Sequence, residues 1–397
     1  MANSLPRDRL VLLAGLITYG MGQSLLFVIF TPLARELALR EWQLGFIIAA
    51  SNVMLAFSAP RWGRASQHMG RRRVYLVGLG GFAIGYGLLA VGVQVGLMGL
   101  LTSGALFVLL LLLRLGYGVV VGGINPAATA YIADTTDGGS RSQGMALIAM
   151  AGGLGTIIGP AFGGALGVID PVLPMYAAAL LAGIAGLWAW RELPEPPRHA
   201  GSRQDLRLRA TDPRVLPYLV GWVVVFGVFT GVQTITAGWI ADRLRITDVG
   251  EAQRTMMVAM LAMAFVTVFV QAVVLQRWTV APAMMLKAGF AVMTVGLLLL
   301  ALGPGLPSLY AGYALFGFSF GFTAPGLNAA ATLNVLPEEQ GATAGLLAAA
   351  PTVGMIFGPI LCGLVYALAP VLPMLGGAAL TAAAGIWFWR GATPGPS

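Results

Sequence analysis

One arginine, Arg114, stands inside an otherwise apolar run, LLLLRLGYG at Leu110–Gly118. A guanidinium stays charged at any physiological pH and offers only donors. Its chemistry is therefore electrostatic: it pairs with an anion or sits among ordered water. In hydrocarbon it is costly unless paired or hydrated, so it faces a bundle interior or a water-filled cavity. An arginine satisfied by backbone carbonyls alone is the plainer alternative. A second basic cluster is GRASQHMGRRR, Gly63–Arg73, in which Gly63 and Gly70 allow a tight turn. Arg64, Arg71 and Arg72 there can meet carboxylates at helix ends; Asp134, closing YIAD, is one such partner. The same arginines are also an ordinary signal for membrane orientation. A third pattern is small rather than charged: Gly155, Gly159 and Gly163 recur every four residues around Pro160 and Gly164, giving one helix face that admits another backbone.

Other chemistry is scarce. The two histidines, His68 and His199, lie in different polar segments, so no metal site is expected. The one cysteine, Cys362, excludes an intramolecular disulfide. No phosphate-binding G-x-x-x-x-G-K-[ST] loop is present, which argues against an ATP-driven pump. No nucleophile, base or metal cluster falls in the apolar runs, so neither an enzyme nor a cofactor is expected. The net charge of +8 suggests nucleic acid, but the basic residues sit in short segments between apolar runs. That is orientation information for insertion.

These residues must be carried by membrane helices. The chain is 58% hydrophobic and only 10% charged, far from the roughly 25% charge of soluble domains. Apolar runs of spanning length recur throughout, and the pattern predicts an all-α integral membrane protein with spans at 10–33, 44–61, 74–94, 103–132, 143–168 and 173–191, then 215–239, 255–275, 281–303, 308–333, 342–367 and 371–389. Met1–Arg9 is polar and the first run long, so no cleaved signal peptide is expected. The two sets are copies. GINPAAT, IGPAFGG, PVLPM and WR in the first reappear in order as GLNAAAT, FGPILCG, PVLPM and WR in the second. Two pseudo-symmetric six-helix bundles follow, at 1–191 and 215–397, joined by a solvated segment at 192–214. Duplication around a central seam is how many secondary transporters are built. Arginines crowd one side of the predicted spans, leaving Arg35, Arg40, Arg243, Arg245 and Arg254 on the other, which places both termini and the joining segment in the cytoplasm.

With these motifs in view, the chain resembles the major facilitator superfamily, and within it the twelve-helix drug:proton antiporters. The Gly63–Arg73 segment is similar to the family's G-x-L-x-D-R-x-G-R-R, with Gln67 at the acidic position and His68 where a basic residue is usual. Arg114 and Tyr117 match L-x-x-x-R-x-x-Q-G, with Tyr117 at the glutamine. Gly159–Gly164 looks like the G-P-x-x-G-G of exporters. The resemblance implies proton coupling through Arg114, with Tyr117 and Asp134. It also implies a conformational latch at Gly63, Arg64, Gly70, Arg71 and Arg72. It further implies a hinge at the seam between halves from Gly155, Gly159, Pro160, Gly163 and Gly164. The cavity would be lined by spans 1, 4, 7 and 10: Tyr19, Gln23 and Phe27; Asn125; Phe226, Thr230 and Gln233; Phe318 and Asn328.

The expected function is secondary active, proton-coupled export of a small amphipathic compound (a drug, siderophore or metabolite) by a monomer in a bacterial inner membrane. Import of a small metabolite, or a non-transporting receptor or scaffold, are the alternatives. No Asp or Glu lies deep in spans 1 or 7. A strictly cationic substrate is therefore disfavoured, and Arg114 is the group that an anionic or zwitterionic one would meet.

Overall fold

The computed structural model describes residues 7–136, 141–196, 208–336 and 339–390. The expected Arg198, His199, Arg203 and Arg207 of the joining segment lie outside these. The described chain is helical: α1 (Arg7–Glu36), α2 (Glu41–Met69), α3 (Arg71–Leu97), α4 (Ser103–Val121), α5 (Ile124–Thr135), α6 (Arg141–Gly167) and α7 (Leu173–Glu192). There follow α8 (Leu216–Leu244), α9 (Val249–Phe269), a π-turn (Val270–Val274), α10 (Leu275–Arg277), α11 (Pro282–Leu302), α12 (Gly305–Leu333), α13 (Gln340–Tyr366) and α14 (Leu372–Trp389). Eleven of the segments are long and apolar enough to cross a membrane. The twelfth, α12, is 29 residues long but diluted by Gly, Ser, Thr and Pro.

Two predicted spans are interrupted. Span 4 divides into α4 and α5 at Gly122–Gly123, because its backbone acceptors are taken from outside the helix. Ser58 Oγ donates to the Gly118 carbonyl at 2.9 Å, and Trp62 Nε1 to that of Val119 at 2.7 Å. Pro126 then has no N–H to return to Gly122. Span 8 is broken by the π-turn. The repeated PVLPM is a helix start, with its second proline in the first turn of α7 and of α14.

Two compact units form. One holds α1–α7 with the first residues of α9, Thr247–Met257; the other holds α8 and the remaining helices. Each repeats one packing scheme. In the first, α1 packs along α6 and α3 against α4 and α7; in the second, α8 packs along α13 and α11 against α12 and α14.

Candidate transport site

The α1–α6 contact explains the glycines. A Cβ on Gly155 would lie 2.2 Å from the Ile17 carbonyl and 2.7 Å from the Met21 nitrogen, and one on Gly159 would lie 2.5 Å from the Met21 carbonyl. Gly163 faces Leu25 and Ile29 of the same helix, and Gly164 faces Met257. Pro160 sits inside a continuous α6. Of the face expected at a seam between halves, Gly155, Gly159 and Gly163 are thus met by α1 of the same unit, while Gly164 meets Met257 of α9. The copy does the same: Gly354 meets Val223 and Gly227 of α8, and Gly358 meets Gly227. Two backbones touch with no side-chain layer between them, which only glycine allows.

That contact sets the depth of α1 beside α4, and Arg114 lies in the first unit's interior. It is 2% exposed and the one charged residue among the buried polar side chains of the described residues. Its Nη2 donates to Ser51 Oγ of α2. Its guanidinium carbon stands 4.8 Å from the centroid of the Tyr117 ring, a cation–π contact. Its Nε is buried without an acceptor. Tyr117 Oη accepts from Gln23 Nε2 of α1 at 3.4 Å. Around it, Tyr86 lies 5.7 Å and Phe82 6.0 Å from Tyr117, ring to ring; Tyr19 meets Phe82 at 6.3 Å, and Tyr86 donates to the Gly22 carbonyl. Phe27 is buried nearby in sequence on α1, while Asn125 is exposed on α5.

Sequence reasoning missed Ser51, Tyr86 and Phe82. Ser51 had a signal: it shares one face of α2 with Ser58, seven residues on, and both hydroxyls reach α4.

The basic cluster is arranged differently from its motif. Gly63 lies within α2, which runs to Met69, and makes no turn; only Gly70 does, at φ +100°, a conformation that favours glycine. Arg71 Nε pairs with Asp134 Oδ2 at 3.0 Å, with side chains 17% and 14% exposed, and its Nη1 donates to Ser66 Oγ at 2.6 Å. Arg72 donates to the Trp190 carbonyl, and Arg64 is exposed. The carboxylate missing at Gln67 is replaced from elsewhere. Glu195, in the segment read as solvated, accepts from the Arg71 backbone N–H and lies against Gly70. It caps the N-terminus of α3, where an anion is favoured. Leu193 and Pro196, buried on either side, were the overlooked sign.

In the second unit α8 and α12 build an aromatic cluster. Phe320 lies 5.3 Å from Phe226 and 4.9 Å from Phe229, ring to ring, and Trp222 stands 5.5 Å from Phe226. Trp222 Nε1 donates to Asn328 Oδ1 at 3.3 Å. Thr230 is buried and spends its hydroxyl on the Phe226 carbonyl at 2.7 Å; Gln233 is buried beyond it. Phe318, expected in this wall, instead stacks on Phe322 at 4.7 Å. A helix turns about 100° per residue, so positions two apart point nearly opposite ways while those four apart share a face. Phe320 is the residue that belongs. Near the start of α8, Arg214 forks onto Glu339 at 2.8 and 3.0 Å and onto Asp212 at 2.9 Å. Its guanidinium holds both carboxyls below the usual carboxylate range.

The repeat relates the two sites. Tyr117 lies as far before GINPAAT as Phe320 before GLNAAAT, and Arg114 as far as Gly317. In the register set by the glycine contacts, Gln23 corresponds to Phe229. The Gln23–Tyr117 hydrogen bond of one unit is a Phe229–Phe320 ring contact in the other.

A duplicated helical membrane fold, with a buried cation in one copy and an aromatic cluster at the matching positions of the other, defines a transporter rather than an enzyme. Residues 12–359 match the Major Facilitator Superfamily, and the chain belongs to it. It is 29% identical over 382 residues to the tetracycline resistance protein, class C, of Escherichia coli, covering 91% of this chain and 90% of that protein. It is 30% identical over 372 residues to the class G protein of Vibrio anguillarum, covering 88% and 87%. The fold is also that of the nucleoside transporter NupG, with a TM-score of 0.73 at 17% identity over 96% of this chain and 98% of that one.

Proposed function

We propose that this transporter exports a small amphipathic compound in exchange for protons, by alternating access, as a monomer in a bacterial inner membrane with both termini cytoplasmic. Likeness over most of its length to two tetracycline resistance proteins carries the export reading. The G-P-x-x-G-G sequence of α6 and the aromatic cluster of α8 and α12 support it. In this reading Arg114 and Tyr117 serve coupling and substrate contact. Arg71 with Asp134, beside Gly70 and Arg72, forms a latch that opens between states. Because an arginine does not titrate here, the proton rides elsewhere, with Asp134 and Glu36 as candidates.

Everted membrane vesicles with an acid lumen test the reading, with tetracycline as the first probe. Export by antiport loads tetracycline into these vesicles, makes the lumen more alkaline as it enters, and stops with a protonophore. Accumulation in right-side-out vesicles instead would make the protein an importer. Orientation is checked with Arg209→Cys in a Cys362→Ala background: an impermeant thiol reagent outside intact cells should leave it unlabelled.

A further inference from the structure

We propose that the first unit holds a binding site for one anionic group of the transported compound, a carboxylate or an oxyanion of similar size, with Arg114 as its cation. The inference rests on the transport reading above and supplies the substrate chemistry for it.

Of the five N–H groups of Arg114, one donates to Ser51 Oγ, and the Tyr117 hydroxyl is the other side-chain partner given among the described residues. No carboxylate among the described residues pairs with it, and its Nε is buried without an acceptor. The Tyr117 ring face attracts the charge but takes no in-plane N–H. The nearest polar neighbours add donors. Gln23 gives its amide N–H to Tyr117 Oη, which leaves that hydroxyl its own proton to donate. An uncompensated charge at 2% exposure is expensive to keep. Donors gathered around such a charge, with no carboxylate among the described residues to meet it, are matched by an anion: it satisfies the guanidinium and takes the spare hydroxyl proton.

The groups come from α1, α2 and α4, so the site is complete within one unit. The corresponding positions of the second unit, Gly317 and Phe320, carry no charge. The preference for an anion therefore resides in the first. A cationic compound would meet like charge where little water screens it.

A matched pair of probes isolates the anion: dansyl-phenylalanine and dansyl-phenylalaninamide, which share their rings and differ at the carboxylate. Binding to the purified full chain in lipid nanodiscs is followed by dansyl fluorescence. The acid should bind about tenfold or more tighter than the amide, a difference of about 1.4 kcal/mol or more. Arg114→Gln should bring the two affinities together by weakening the acid far more than the amide. Arg114→Lys should keep part of the preference, because it keeps charge but loses the fork. Ser51→Ala, which frees the guanidinium from its hydrogen bond to α2, should reduce the preference several-fold and covers the case in which Arg114→Gln does not fold. Equal binding of acid and amide to the wild-type protein, no binding of either, or a preference that survives Arg114→Gln would each overturn the proposal. Vesicle transport is read separately, so a failed anion site and a failed export reading give different results.

Discussion

Replacing Gly155 by alanine adds one methyl group to α6, and its consequence follows from distances. The new Cβ would lie 2.2 Å from the Ile17 carbonyl and 2.7 Å from the Met21 nitrogen, both backbone atoms of α1. Ordinary contact needs more than about 3.4 Å, and no rotamer change relieves a backbone clash, so the helices must part by about 1 Å. A gap of that order forfeits a quarter to a half of the dispersion attraction along the contact, and packing of this kind is what joins helices in a membrane. Overpacking costs about 1–3 kcal/mol, against about 1 kcal/mol gained from alanine's better helix propensity. The net loss is about 0–2 kcal/mol. For a body of this size each kcal/mol moves a melting temperature by about 2–4 °C, so Gly155→Ala should melt up to about 8 °C below wild type. Gly80→Ala in α3 is the control: nothing lies within 4 Å of its Cβ, and the propensity gain should stand alone. Scanning fluorimetry of the purified proteins reads both. A Gly155→Ala protein as stable as Gly80→Ala would refute the backbone contact. Gly159→Ala should be disruptive too, since its Cβ would lie 2.5 Å from the Met21 carbonyl.

Glu195→Ala should destabilise the protein by the worth of a helix cap, about 0.5–2 kcal/mol, read as a lower apparent melting temperature, and an unchanged value would mean that α3 is capped by solvent. Asp212 and Glu339 have carboxyls depressed by Arg214. A depressed carboxyl stabilises the fold above its unfolded pKa and loses that stabilisation as pH falls through its folded value. The second unit should therefore lose stability below about pH 4, and Glu339→Gln should flatten that limb of a melting-versus-pH curve; a limb of unchanged slope would sink the assignment. Phe320→Ala should weaken binding of an aromatic substrate several-fold, at about 0.5–1.5 kcal/mol per ring pair, while Phe318→Ala should not; equal effects in titrations of the two variants would show that the α8–α12 cluster is not the binding wall.

Helices were legible because spanning length and apolar content are local properties, and the internal repeat made each half a check on the other. The break at Gly122–Gly123 was not, since it depends on Ser58 and Trp62 reaching across from α2. Arg114 announced itself by the cost of its charge; Ser51 showed only as one of two serines seven residues apart on one face of α2, a spacing that does not name Arg114 as the partner. The glycine face was readable as a close approach, yet spacing does not name the neighbour, and α1 proved to be it. The wall of phenylalanines was resolved only by rotation about the helix axis, which selects Phe320 over Phe318. Glu195 was hidden because a proline-rich, charged stretch reads as solvent-facing until the turn it caps is seen.

The hydrogen-bonded pair Gln23–Tyr117 and the ring pair Phe229–Phe320 occupy one position in an ancestral unit that now exists twice. The shared backbone contact fixes where both pairs stand, so each could drift without disturbing the frame. A descendant that needs a bulkier or flatter compound has only to vary Phe229 and Phe320, with the ionic preference inherited untouched from the other copy. Mutations that broaden what such a protein handles should then gather in the second half, while those that abolish handling altogether gather around Arg114.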